Sequence, residues 1–159
     1  MEEKQTIWNQ SVAGVVIRNG CVLLARHTYG AGKGMLIVPG GFVESGETPQ
    51  EAVCRELLEE TGVLVEPKEV VGIRFNAHDW YVAFAAEYIS GEPRSDHMEN
   101  SEVMWVPVED ALRMADVPDL SKKIVRSALS KGCGLRAASY ENANPKHGKS
   151  SFYGALSEI

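Results

Sequence analysis

The clearest pattern in the chain is a change of hydrophobic period. Two β-branched-rich runs, residues 11–18 and 21–27, meet at Asn19-Gly20. An Asn-Gly pair between two such runs is a strong two-residue hairpin signal. Residues 28–34 read as a loop, and residues 35–38 as a short buried strand that ends at Pro39. The period then lengthens to that of a helix. Thr48-Pro49-Gln50-Glu51 matches a capping box with proline at the first helical position, and Gly62 supplies a C-terminal stop. Residues 69–76 and 80–90 form a second predicted antiparallel pair around a turn at 77–79. A polar loop over 91–101 leads to a strand over 102–108. Helices are predicted over 109–115 and over 119–132, the second ended by Gly132. From Cys133 onward, Ser, Asn, Gly, Lys and Pro dominate with little periodicity. The reading is one domain over 1–132 and an irregular tail over 133–159, pinned by Phe152 and Tyr153. Strands on both sides of a central helix, with helices at the end, predict an α/β sandwich of mixed sheets.

Composition narrows the functional classes. A chain of 159 residues, 44% hydrophobic and 24% charged, has enough apolar surface for one buried core. The formal charge is −6, with no Lys/Arg cluster of the kind that tracks nucleic-acid phosphates, so no polymeric nucleic acid is expected as partner. A polyanionic substrate would be repelled by this field unless a cation bridged the two. Cys21, Cys54 and Cys133 are odd in number and lack C-x-x-C spacing, which reads as free thiols in a reducing compartment. Residues 1–10 have neither a basic start nor an apolar run, and no stretch of 18 apolar residues occurs. The expectation is a cytoplasmic protein with no membrane partner. His27, His78, His97 and His147 have no metal-ligand spacing, and the glycines of residues 30–34 fit neither a dinucleotide fingerprint nor a P-loop.

The predicted helix carries the chemistry. At 100° per residue, Val53, Cys54, Leu57, Leu58 and Thr61 share one side. Glu56, Glu59 and Glu60 fall together on the adjacent side, beside the core rather than opposite it. Like charges one turn apart weaken a helix by a few tenths of a kcal/mol each. A solvated acidic face and a site for a hard cation both remain open on this pattern alone. Oxygen-only donors gathered this way suit Mg²⁺ or Mn²⁺. Ahead of the helix, Gly40-Gly41 lets the backbone bend and a carbonyl come close to an ion, although a tight turn explains two glycines equally well.

Gly41, then Glu47 after five residues, then Arg55-Glu56-Leu57-Leu58-Glu59-Glu60-Thr61-Gly62-Val63 after seven more, resembles the Nudix box in every defined position. The resemblance implies an α/β/α sandwich with a mixed sheet and a central box helix. It also implies divalent-metal-dependent cleavage of a diphosphate linkage in a nucleoside diphosphate derivative, of the ADP-ribose, nucleotide-sugar or dinucleoside-polyphosphate type. Carried onto this chain, Glu56, Glu59 and Glu60 would hold Mg²⁺ or Mn²⁺ together with the Gly40 carbonyl. Arg55 and Glu47 would tie the loop to the helix; a surface pair of Arg55 with Glu51 is compatible with this. A general base could come from the box or from Asp96, Glu99 or Glu102, with Glu102 preferred because it starts a strand. For substrate contacts the candidates are Arg26 near a phosphate and Phe42, Phe75, Trp80 and Tyr81 as stacking rings. The partner expected is a nucleotide-type small molecule, and a homodimer is allowed for. A nucleoside triphosphate pyrophosphohydrolase and a non-catalytic nucleotide-binding regulator stand as alternatives.

Overall fold

In the computed structural model, which describes residues 8–130, 132, 134–138 and 152–155, the Asn19-Gly20 turn forms as its residue types predict. Both residues adopt left-handed φ, 50° and 74°. Strand β1 (Asn9–Arg18) therefore folds back onto β2 (Cys21–His27), with Arg18 opposite Cys21. The other free cysteine, Cys54, is half-buried, whereas Cys133 and His147 lie outside the described residues. β2 also carries β3 (Leu36–Ile37) antiparallel beyond that end of β1.

β1 is the hub of the sheet. It pairs antiparallel with β4 (Gly40–Phe42) and parallel with β6 (Asp79–Ser90), from Asn9 opposite Asp79 to Val16 opposite Ala86. β6 forms a hairpin with β5 (Leu64–Phe75), which starts five residues earlier than the sequence suggested. Register shifts at Pro67/Glu69 and Val70/Gly72 accommodate a residue without an N–H and one without a Cβ, which explains why alternation was weak there. β7 (Asn100–Pro107) runs antiparallel along β2. The expected helix over 109–115 is reduced to a single turn, Val108–Ala111, with no side chain capping its start.

Helix α1 (Pro49–Thr61) covers one face of the sheet. Val53 and Leu57 pack there with Val12, Val16, Val65 and Phe84. The short helix α2 (Val108–Ala111) and α3 (Asp119–Leu129) cover the other face, over Ala13, Val15, Val22, Leu24 and Val71. The layers are α/β/α around a mixed sheet. α3 stops at Leu129 rather than running to Gly132. Among the described residues no helix is long and apolar enough to cross a membrane.

The stretch after Gly132, expected to be irregular, adds two strands to the sheet. β8 (Leu135–Ala138) pairs with β5, and β9 (Phe152–Gly154) pairs with β8. Arg136 Nε donates to Glu69 at 2.9 Å, and the Tyr153 ring meets Phe84 edge-on at 5.6 Å. Too few apolar residues alternate here to mark a strand; the pairing is supplied by the open edge of β5.

Candidate active site

The ends of α1 are fixed by its sequence. The Thr48 hydroxyl accepts from the Glu51 N–H, the Glu51 carboxylate accepts from the Thr48 N–H at 2.8 Å, and Pro49 follows at the first helical position. Gly62 closes the helix in the left-handed region, φ 74°. Between these caps Arg55 gathers the preceding loop. Its guanidinium donates to both Glu47 oxygens at 2.6 and 3.1 Å, to the Phe42 carbonyl at 3.0 Å, to Glu56 at 2.9 Å and to Glu59 at 3.3 Å. These bonds, the one to Glu47 foremost, push the Arg55 pKa up; the same contact holds the Glu47 carboxyl below its usual range. A planar fork of donors makes this possible, and an ammonium would not reproduce it.

The glycine pair brings strand and helix together. A Cβ on Gly40 would overlap the Val12 carbonyl across the sheet, and one on Gly41 would lie on the Glu56 carboxylate. β4 can therefore press against the acidic side of α1. Glu60 ends up 3% exposed, and its carboxylate accepts from the Gly40 N–H at 3.2 Å. The buried side of α1 is Ala52, Val53, Leu57, Glu60 and Thr61, whereas Leu58, expected in the core, is 45% exposed. The helix is rotated so that an acid takes the place of a leucine. Burial, reinforced by a hydrogen bond with Glu99, pushes the Glu60 pKa up to about 9. Burial also raises Glu56.

Glu99 reaches this cluster through a loop held by its own polar groups. Asp96 Oδ1 accepts from the N–H groups of Met98, Glu99 and Asn100 at 2.9, 3.0 and 3.1 Å. Ser95 Oγ donates to the Asn100 carbonyl. Asn100, buried, donates through Nδ2 to the Glu60 carbonyl at 2.8 Å, and the Thr28 N–H and hydroxyl donate to the Glu99 and Met98 carbonyls. Asp96 is thus occupied in building the turn, and Glu99 is the acid presented. Glu56 and Glu99 line a cavity of about 400 Å³ with Ser11, His27, Tyr29, Phe42 and Asp79, among others.

A NUDIX domain model matches residues 8–127, which include the hub strand, the Arg55 cluster and the Glu99 loop. The chain belongs to the NUDIX family. It is 34% identical over 116 residues to an NAD-capped RNA hydrolase NudC of Vibrio cholerae, an alignment that covers 69% of this chain and 41% of that protein. It is 35% identical over 88 residues to an ADP-ribose pyrophosphatase of Methanocaldococcus jannaschii, covering 52% of each. This chain therefore spans well under two thirds of the length of these relatives. The fold matches a MutT NUDIX hydrolase of Burkholderia pseudomallei with a TM-score of 0.67 at 23% identity, covering 75% of this chain and 96% of that one.

The other sequence-predicted residues of this Nudix domain fall in four places. Phe42 lines the cavity, 63% exposed. Arg26 and Glu102 do not line it: Arg26 Nε donates to Glu102 at 2.8 Å, and Nη1 donates to Asp116 at 2.9 Å and to the Gly34 carbonyl at 2.8 Å. β7 starts at Asn100, so Glu102 is not at the strand start as expected but two residues inside it, opposite Arg26 on β2. Trp80 packs edge-on between Trp8 and Phe75 outside the cavity, and Tyr81 lies under α3 beside Ile124, where burial pushes its pKa up to about 12. Sequence reasoning missed Ser11, His27, Tyr29 and Asp79. Ser11 donates to Asp79, which also accepts from Arg74 at 2.7 Å. Only the three-dimensional pairing of β1 with β6 reveals that contact.

The donor set fits a hard divalent cation in kind. Glu56, Glu60 and Glu99 offer oxygen alone, and the buried, proton-retaining Glu60 beside two other acids is what a cation would relieve. Among the described residues no three acidic, His or Cys side chains already converge on one point, and Glu59 is turned outward onto Arg55.

Proposed function

We propose that this domain hydrolyses a diphosphate linkage in a nucleoside diphosphate derivative and depends on Mg²⁺ or Mn²⁺. The observation that carries this reading is the acid cluster of buried Glu60, half-buried Glu56 and exposed Glu99, the last two lining one cavity, braced by Arg55 and by glycines with no room for a Cβ. An acidic face meant only for solvent has no reason to bury Glu60 at such cost. The names of the two relatives agree in chemistry, since NAD and ADP-ribose both contain a diphosphate.

Glu56, Glu60 and Glu99 would hold the cation, with Glu59 available by swinging off Arg55 and the Gly40 carbonyl nearby. The bound ion would neutralise phosphate oxygens and lower the pKa of water. The chain's own residues do the remainder. Arg55 keeps Glu56 and the Glu47 loop in place, so that the acids do not splay under mutual repulsion. Asn100 and Asp96 set the height of Glu99 against α1. Glu99 takes the proton of the attacking water as its oxygen bonds to phosphorus, and the bridging oxygen leaves with the electron pair of the broken P–O bond. The Phe42 ring borders the space where the organic part of the substrate lies.

A panel of ADP-ribose, NAD, a nucleotide sugar, a dinucleoside polyphosphate and nucleoside triphosphates, with and without Mg²⁺, tests the reading. Two monophosphates from ADP-ribose or NAD support it. Pyrophosphate released from triphosphates alone transfers the site to the triphosphate class. Turnover that persists in excess chelator removes the metal from the mechanism.

A further inference from the structure

The cavity beside the acid cluster has an aromatic wall that the hydrolytic chemistry leaves unused. Tyr29 lines it and is 53% exposed, its ring stacked on His27 at 5.6 Å and 25°. The loop that carries it is fixed. The Gly34 N–H donates to the His27 carbonyl at 2.8 Å and the Met35 N–H to the Gly32 carbonyl at 2.9 Å, with Gly30 and Gly34 at φ 67° and 81°. The neighbouring Thr28 is bonded to the loop that bears Glu99. Tyr29 is therefore placed relative to the acids before any ligand arrives, which lowers the entropy cost of using it.

The charges around it explain what such a ring is for. Among the described residues no Lys or Arg lines this cavity, and Arg26, Arg55 and Arg74 are each bonded to carboxylates. The described residues therefore offer the organic end of a nucleotide no cation here to hold it. Stacking on an aromatic face needs none, and it tolerates any planar base. Burial first, then Glu99, raises the phenol pKa, so the hydroxyl stays neutral beside the acids. Burial likewise lowers the pKa of His27, so that it backs the ring as a neutral imidazole.

We propose that Tyr29, backed by His27, is a specificity-determining residue: the ring on which the planar base of a nucleotide stacks, within the cavity that Phe42 also lines. The proposal rests on the nucleotide-hydrolase reading above and assigns the base end of its substrate.

Calorimetry with Mg²⁺ tests it without needing turnover, using adenosine monophosphate and ribose 5-phosphate, which differ in the base alone. The wild type should bind the nucleotide more tightly than the sugar phosphate. Tyr29→Ala should weaken the nucleotide on the order of tenfold and leave the sugar phosphate within twofold. Tyr29→Phe, which keeps the ring, should bind both like the wild type, and a thermal melt confirms that each variant is folded. Equal weakening of both ligands, no change in nucleotide affinity, or a wild type that does not distinguish the two would overturn the assignment. Hydrolysis of the substrate panel is scored separately. Base-dependent binding without any turnover would defeat the hydrolase reading alone, whereas turnover with base-independent binding would defeat this proposal alone.

Discussion

Changing Glu60 to Gln should make the metal-free protein more stable at alkaline pH. Glu60 is 3% exposed, and its carboxyl group titrates near 9 in the folded chain against an ordinary value of 4.5. Between those values the folded state keeps a proton that the unfolded state has lost. A raised folded pKa means that stability is fully present below 4.5 and declines as pH rises towards 9. The slope is about 1.4 kcal/mol per pH unit. From pH 5 to pH 8 the wild type, with chelator present, should lose roughly 2 to 4 kcal/mol, or on the order of 5 to 15 °C in Tm for a domain of this size. Gln mimics the protonated acid: its oxygen can accept from the Gly40 N–H and its amide can donate to Glu99, the two partners Glu60 has now. The variant should therefore melt at nearly the same temperature at pH 5 and pH 8, and above the wild type at pH 8. Circular dichroism melts of both proteins in chelator at these two pH values decide the matter. A wild type whose Tm does not fall over this range would refute the reasoning, as would a variant less stable than the wild type at pH 8. Added Mg²⁺ should then raise the Tm of the wild type more than that of the variant.

Three further outcomes follow from the geometry. Arg55→Gln strips Glu47 and Glu56 of their shared partner; it should cost about 2 to 3 kcal/mol in chemical denaturation and reduce kcat by orders of magnitude, and a fully stable, active variant would contradict the bracing role. Glu99→Gln should lower kcat by about a hundredfold or more while Glu102→Gln stays within a fewfold, and the reverse ranking in steady-state kinetics would return the proton-accepting role to Glu102. A chain ended at Gly132 should keep its circular dichroism signature but melt lower, by about 2 kcal/mol for the lost Tyr153 packing on Phe84, and failure to fold would place β8 and β9 inside the minimal domain.

The legible parts of the fold are those written in local chemistry. The Asn-Gly hairpin and the capped ends of α1 need only neighbours in sequence, and both stand where they were read. β4, β8 and the early start of β5 depend on a partner strand offering its edge, and their own residues alternate weakly. The same division runs through the site. Arg55 with Glu47 was legible because both lie within one contiguous motif. That Glu99 lines the cavity and Glu102 does not was not legible, since this turns on Asp96 closing a tight turn and on β7 setting Glu102 against Arg26. The helical wheel also misjudged Leu58 and Glu60. It assumes that apolar residues define the buried side, whereas here the side is selected by Gly40 and Gly41 of β4, whose missing Cβ atoms let that strand approach the acidic side of α1 closely.

This last point explains why the acids can be held close together at all. Glu56 and Glu60 on a free helix would turn to solvent, and Glu99 on a free loop would move away from them. Here three unrelated segments prevent that: β4 closes over Glu60, Arg55 clamps Glu56, and the loop through Asn100 fastens Glu99 to the end of α1. The fastening is exacting, because Asn100 is buried with Nδ2 on the Glu60 carbonyl while its Oδ1 finds no hydrogen-bond partner among the described residues. A buried amide that satisfies one side at the expense of the other costs stability and gains position. Its placement one hydrogen bond from Glu60 and one residue from Glu99 puts that cost where the distance between the two acids is set. Stability is thus given up twice within one cluster, at Glu60 and at Asn100, and both losses act to hold Glu60 and Glu99 next to each other beside the cavity that Glu56 and Glu99 line.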